Sequence, residues 1–179
     1  MIIDPKPLRL RILIALTDLL KTVTPANGYQ FDLSDGEDGE KRVVRGRMFL
    51  GDSEPSHMVS LLEPPNAVEP ILNRGPDNNA RATEWDILIQ GWTRNDDDNE
   101  ECDLAYVLAA DVHRALATEK AKTRTGRPGA TDILGMGPKI TEFRIGTPVI
   151  RPTEEVTDYG VFYTILTMKI VEDIADPFG

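Results

Sequence analysis

The sequence predicts an α+β domain, in which a mainly antiparallel sheet of about five or six strands carries two main helices on one face. Three patterns indicate this fold class. Apolar side chains recur at helical spacing near the start of the chain and again in residues 102–119. In residues 85–90, the side chains of a mostly apolar face alternate along the chain with those of a mixed face, as they do in a strand. Residues 161–171 are apolar on both faces, which is typical of a central strand or one buried on both sides.

The first helix is predicted between Pro7 and Pro25. Pro7 fits the first helical turn, because a proline there lacks only an amide that would have no partner anyway. The buried face of this helix is formed by Leu8, Ile12, Leu16, Leu19 and Leu20. Residues 26–28 then form a turn. Short strands are expected at residues 29–33, 43–50 and 57–62, with a solvated acidic loop after the first of them.

Residues 83–119 form the most informative stretch, a strand that runs through an acidic turn into a helix. Asp98 and Glu101 stand three positions apart and fit a capping box, which satisfies the free amides of a first helical turn. The helix then presents an apolar stripe made of Leu104, Val107, Leu108, Val112, Ala115 and Leu116. Later strands are expected at residues 140–145, around residue 149, and at 161–171. The pattern predicts a packing and assembly unit.

Two long loops are expected, at residues 63–82 and 120–138, because proline, glycine and asparagine are frequent there. Loops of this length are uncommon in compact domains and usually have a function or are disordered. The second loop begins with four cations and no acid between them: Lys120, Lys122, Arg124 and Arg127. These cations complement the negative end of the preceding helix. They are also the candidate interface residues, for an acidic surface of the next subunit or for passing DNA.

Length and composition narrow the possible functions. The chain has 179 residues, which fit a single domain over residues 1–179. Its net charge of −10 argues against a general affinity for the phosphate backbone, because such binding depends on cations. Cys102 is the single cysteine, so no intramolecular disulfide can form and a cytosolic folding environment is expected. No apolar run reaches the roughly 18 residues of a membrane span.

No residue pattern predicts an enzyme, a cofactor or a metal site. The carboxylates of residues 96–103 could attract a divalent cation, but they lack the glycine and the terminal glutamate of a calcium loop. A turn that leads into a helix is the preferred interpretation. His57 and His113 stand near no nucleophile motif, so packed or surface imidazoles are expected.

The order of these elements resembles the tail terminator, or tail completion, proteins of long-tailed bacteriophages. The resemblance is carried by residues 7–20, 82–116, the flexible loop that follows, 139–146 and 160–173. It implies a structural virion protein, assembled in the host cytoplasm, that forms a ring, typically hexameric. Such a ring caps the head-proximal end of the tail tube, stops its polymerisation and docks the tail to the head connector or neck protein.

Two physical arguments agree with this resemblance. An acidic ring repels DNA, so the genome passes through the lumen without specific binding. Long loops and exposed strand edges are features that a closed ring can bury between subunits. The alternatives are a head completion or neck connector protein, a tail tube or tail-assembly chaperone component, and a metal-dependent enzyme built on the acidic clusters.

Overall fold

The computed structural model describes residues 5–37, 39–49, 55–64, 80–122, 132–151 and 158–179. Within these ranges it confirms the α+β class, with a six-stranded sheet and two main helices. The helices are α1 (Leu8–Leu20) and α2 (Asp103–Lys120). The strands are β1 (Val43–Arg45), β2 (His57–Leu62), β3 (Ala80–Arg94), β4 (Ile140–Ile145), β5 (Val149–Arg151) and β6 (Tyr159–Asp173). Short 3-10 turns lie at Pro25–Asn27, Ile133–Gly135 and Gly137–Lys139.

The sheet is built around its two longest strands. Its order is β1-β2-β3-β6-β4, and β5 pairs with β6 on the same side as β4. Strands β3 and β6 are antiparallel and pair over their whole length, from Ala80 opposite Asp173 to Arg94 opposite Tyr159. Among the strands that the structure describes, only β1 and β2 pair in parallel. The short strand β1 therefore lies at one edge of the described sheet, and β4 and β5 lie at the other.

Both helices pack on the same face of this sheet. Their apolar stripes meet alternate residues of the central strands, and transfer of each such side chain from water contributes roughly 1.5–3 kcal/mol to stability. The core includes Ile12, Leu16 and Leu20 of α1, Leu108, Val112 and Leu116 of α2, Trp85, Ile87 and Ile89 of β3, and Phe162, Leu166, Met168 and Ile170 of β6. A single contiguous core thus links both helices to the two central strands.

The face of the sheet that the helices leave open has two chemically different parts. On one part, ionic and polar pairs cross the strands: Arg144 with Glu84, Lys169 with Glu142, and Thr167 with Asp86. On the other part, Met58, Trp92 and Tyr159 form a second, smaller apolar cluster. The central position predicted for residues 161–171 is confirmed. The side chains of β6 on this open face, such as Tyr163 and Ile165, are half-buried, whereas those on the helix face are buried.

The prediction of a strand at residues 29–33 is wrong. Backbone amides of this segment donate hydrogen bonds to a carboxylate of α2 and not to a neighbouring strand. The backbone N–H groups of Gln30 and Phe31 donate to Oδ2 of buried Asp111, at 2.7 and 2.9 Å. Arg114, one turn further along α2, donates to the Gly28 carbonyl at 2.8 Å. Side-chain groups thus satisfy backbone atoms that a strand would direct to a neighbouring strand.

Two further boundaries differ from the prediction. The strand expected at residues 43–50 ends at Arg45, because Gly46 adopts a left-handed φ of 75° that breaks the extended run. The capping box of Asp98 and Glu101 is also wrong. Helix α2 begins at Asp103 without a side-chain cap, and the carboxylate of Asp96 holds the turn instead by accepting from the Asp98 amide at 3.2 Å.

Part of each predicted long loop lies within the residues that the structure describes. Strand β3 already begins at Ala80, so the end of the loop expected at 63–82 belongs to the sheet. Residues 65–79 lie outside the described ranges. In the loop expected at 120–138, the last part forms the two turns at Ile133–Gly135 and Gly137–Lys139, and residues 123–131 are not described.

Candidate assembly surface

The predicted interface cations begin where α2 ends. Lys120 is the last residue of the helix and is exposed, and Lys122 follows two positions later. Arg124 and Arg127 lie outside the described residues. Lys120 forms no ion pair with any residue that the structure describes, and its side chain is exposed to solvent. The expected contact of all four cations with a neighbouring subunit stays a prediction.

Lys122 has a partner within its own subunit. Its ammonium group pairs with the carboxylate of Glu119, whose side chain is only 3% exposed. The other Glu119 oxygen accepts a hydrogen bond from the backbone N–H of Leu134 at 2.6 Å. Leu134 has a left-handed φ of 54°, a conformation that a leucine adopts only at a cost in backbone strain. Glu119 therefore ties the end of α2 to the turn at Ile133–Gly135.

A groove opens beside this ion pair, between the last turns of both helices and the turn at Ile133–Gly135. We call it the helix-end groove, and its volume is about 490 Å³. It is lined by Ala15, Asp18, Leu19, Thr22, Glu119, Lys122, Asp132, Leu134 and Gly135. Thr22 and Lys122, which follow the C-terminal ends of α1 and α2, are among the lining residues, and such helix ends carry partial negative charge. The groove thus combines an apolar lining with a mainly acidic rim.

This arrangement suits binding by shape and charge. Ala15, Leu19 and Leu134 supply apolar surface, while Asp18 and Asp132 supply negative charge near the helix ends. An apolar side chain flanked by cations would complement both features. The sequence did not predict this groove, because its lining comes from three segments that are far apart along the chain.

Several large apolar side chains are exposed on the described surface. Phe49 is 79% exposed and its neighbour Met48 is 48% exposed, just beyond β1. Val149 in β5, at the opposite edge of the sheet, is 53% exposed. The remaining large ones are Tyr106, Ile174 and Phe178. The sequence prediction missed Met48 and Phe49 because it placed both inside a strand, although Gly46 was a signal that the strand could end earlier.

The histidines hold structural positions. Nε2 of His57 donates to the Asp32 carbonyl at 2.7 Å, and its Nδ1 accepts from the Ser56 hydroxyl at 3.1 Å. Burial is the main cause that lowers the pKa of His57 below its usual value. Burial likewise lowers the pKa of His113, whose Nε2 is buried without a hydrogen-bond partner. Both imidazoles are therefore neutral near neutral pH.

The described residues bear on two other classes of function, metal binding and membrane insertion. Among the residues that the structure covers, no group of three or more histidine, cysteine, aspartate or glutamate side chains could hold a metal ion. The carboxylates at residues 96–103 lie within this described part of the chain. None of the described helices has the length and apolar character needed to cross a membrane.

Comparisons with known proteins add no family to this description. No protein-family model matches the sequence, and no curated protein is significantly similar to it.

Proposed function

We propose that this protein is a tail terminator subunit of a long-tailed bacteriophage. Copies of it form a ring, hexameric as in the family that the sequence resembles, at the head-proximal end of the tail tube. The ring stops polymerisation of the tube and docks the tail to the head connector or neck protein. The observation that best supports this proposal is a pair of different exposed apolar surfaces at the two edges of one sheet.

The two surfaces belong to opposite ends of the strand order. Met48 and Phe49 lie beyond edge strand β1, and Val149 lies in β5 at the other edge. Edge strands present backbone N–H and C=O groups that can pair with another chain, and proteins usually protect them. A closed ring needs two non-identical surfaces on different sides of each subunit, because every contact joins one kind of surface to the other. The fold supplies such a pair.

The charge of the chain fits the same role. A net charge of −10 makes each subunit repel the phosphate backbone of DNA. A ring of such subunits lets the genome pass through without gripping it. The basic segment that starts at Lys120 is then assigned to contacts with a neighbouring subunit or with the tail tube, because it would meet acidic protein surfaces there.

The first test is the oligomeric state of the purified protein. Native mass spectrometry and negative-stain electron microscopy should find discrete rings, either for the protein alone or after mixing with purified tail tubes. With tubes, the protein should cap one end of each. A protein that stays monomeric at every concentration, with and without tubes, contradicts the proposal. Binding to portal-filled heads but not to tubes would indicate a neck connector protein instead.

The second test concerns the predicted interface cations. A variant that combines Arg124→Glu with Arg127→Glu should assemble poorly while the monomer stays folded. The matched control combines Lys6→Glu with Lys139→Glu, which changes the net charge equally at another place. Assembly and tail termination at the wild-type level by the first variant would remove these two residues from the interface. Circular dichroism and thermal melting check that both variants are folded.

A further inference from the structure

We propose that residues 174–179, which we call the latch, cap the first turn of α1 and open as a unit, independently of the rest of the fold. The latch follows β6, which ends at Asp173, and returns to the start of α1. Its closed and open states share one core and differ in whether the helix start has a hydrogen-bond acceptor. This device belongs to the single subunit and does not depend on ring formation.

Helix α1 has no side-chain cap at its N-terminus. The N-cap residue is Pro7, which forms no cap hydrogen bond, and the first amides of a helix have no acceptor within the helix. The latch supplies an acceptor, because the Leu8 N–H donates to the Pro177 carbonyl at 3.0 Å. Nη2 of Arg11, in the same part of α1, donates to the Gly179 carbonyl. Backbone carbonyls of the latch thus make both contacts with the helix.

A hinge separates the latch from a fixed end of β6. On the fixed side, the Glu172 carboxylate accepts from Nε and Nη2 of Arg9, each at 3.1 Å, and the same guanidinium lies 5.1 Å from the ring centroid of Trp85. This pair ties α1 to β6 immediately before the hinge. At the hinge, Oδ1 of Asp173 accepts from the Ala175 N–H at 2.9 Å. The latch can therefore move beyond this turn while α1 stays attached to the sheet.

Little apolar burial holds the latch closed. All of its residues are exposed, including the large side chains of Ile174 and Phe178. A cavity of about 250 Å³ is lined both by the helix start, at Pro7 and Leu8, and by the latch, at Ile174 and Pro177. Atoms that face such a space lack van der Waals partners there. Hydrogen bonds of modest net strength therefore dominate the closed state, and the latch belongs to the least stable part of the described fold.

Hydrogen exchange at two amides of the wild-type protein distinguishes opening of the latch from global unfolding. The Leu8 amide should exchange when the latch opens, whereas the amide of Leu16, a buried residue in the same helix, should exchange through a larger unfolding event. In urea well below the unfolding midpoint, exchange at Leu8 should hardly change, because opening of the latch exposes little surface, and exchange at Leu16 should accelerate. Equal urea dependence at the two amides would mean that the latch opens only with the whole fold, and the proposal would then be wrong.

Removal of the latch tests whether it is the cap. A chain that ends at Asp173 should keep its circular dichroism spectrum, while exchange at Leu8 should accelerate by roughly ten-fold or more, because the amide loses its acceptor. Exchange at Leu16 should change little. If the shortened chain folds and its Leu8 rate equals that of the wild-type protein, the latch does not cap α1.

Arg11→Met tests the unit in the full-length chain. The substitution removes the contact to Gly179, so exchange at Leu8 should accelerate by roughly two- to ten-fold if both contacts open together. Lys120→Met is the matched control, since it removes one positive charge from an exposed helix position and should leave the Leu8 rate unchanged. A wild-type rate at Leu8 in Arg11→Met, or equal acceleration in both variants, overturns the proposal, and this result does not require the shortened chain to fold.

Discussion

The aromatic ring of Phe162 lies directly over Gly91, its cross-strand partner in the central pair of strands. A Cβ atom added at Gly91 would stand 2.0 Å from Cε1 of that ring, far inside van der Waals contact. The absence of a side chain at Gly91 therefore lets β3 and β6 pair without interruption while the aromatic ring stays in the core.

Gly91→Ala should lower the free energy of unfolding by about 1–3 kcal/mol, because it overpacks a filled core position. Urea denaturation measures this change. Phe162→Leu in the same chain should relieve part of the clash, so the double variant should be more stable than the sum of the two single effects predicts. Strict additivity of the two substitutions would contradict the explanation by contact with the ring.

Asp111→Ala should release the backbone of Gln30 and Phe31 from α2, while Arg114 still holds the Gly28 carbonyl. The substitution removes an acceptor that both the Gln30 and Phe31 amides use, and hydrogen bonds to a charged group contribute roughly 1.5–3 kcal/mol. Hydrogen exchange should become faster at these two amides in particular. Asp97→Ala, in the exposed acidic turn, is the matched control and should leave that exchange unchanged.

Alanine substitutions of Glu119 and Lys122 should lower the free energy of unfolding by different amounts, although the two residues form one ion pair. Glu119→Ala leaves the buried Leu134 amide without its acceptor, which costs about 1–3 kcal/mol. The Lys122 side chain is 57% exposed, so Lys122→Ala buries no unpaired backbone group and should cost less than Glu119→Ala. Thermal unfolding of the two variants checks this difference. Equal losses would mean that the ion pair, and not the hydrogen bond to Leu134, holds the turn.

Acidification should destabilise the fold in the range where an ordinary histidine gains its proton. Burial lowers the pKa of His57 in the folded state from its usual value of 6.5, and also that of His113. The unfolded chain therefore binds more protons than the folded chain as pH falls below about 6.5, and the free energy of unfolding decreases there. Unfolding measured over a pH series gives the slope.

Unfolding of the His57→Gln variant over the same pH series tests whether His57 causes this pH dependence. Its stability should depend less on pH in this range, because Arg42, Asp32 and Glu40, the charged groups that act on His57, would then face a side chain that does not titrate. Asp32 itself has a pKa lowered mainly by hydrogen bonds from Ser34, so its contribution is lost only below its usual value of 3.8. An unchanged slope in the variant would assign the effect to His113.

Local sequence patterns predicted the regular elements well where apolar periodicity was long. Helices α1 and α2, strand β2 and the central position of β6 follow from such periods. The segment with Tyr29, Phe31 and Leu33 alternates like a strand, and its side chains do pack against the core. Its backbone amides, however, donate hydrogen bonds to Asp111. That residue lies about 80 positions further along the chain, so the local sequence pattern does not indicate the contact.

The candidate surface was predictable only in part. The cations at the end of α2 are visible in the sequence, but the partner of Lys122 depends on where the helix stops and on which way Glu119 points. The helix-end groove depends on the packing of α1 beside α2. The exposure of Phe49 depends on a single left-handed glycine, Gly46, that ends β1 early. Such features arise from tertiary packing, which short sequence windows do not encode.

The full-length pairing of β3 with β6 has a consequence for synthesis of the protein in the cell. Both helices and β3 leave the ribosome before β6 does, so they meet only half of the sheet on which they must pack. Until β6 arrives, one edge of β3 and much of the apolar helix-facing surface stay open, and nascent chains in this condition are prone to aggregate. The sheet and the core beneath it should therefore become complete only after translation of β6.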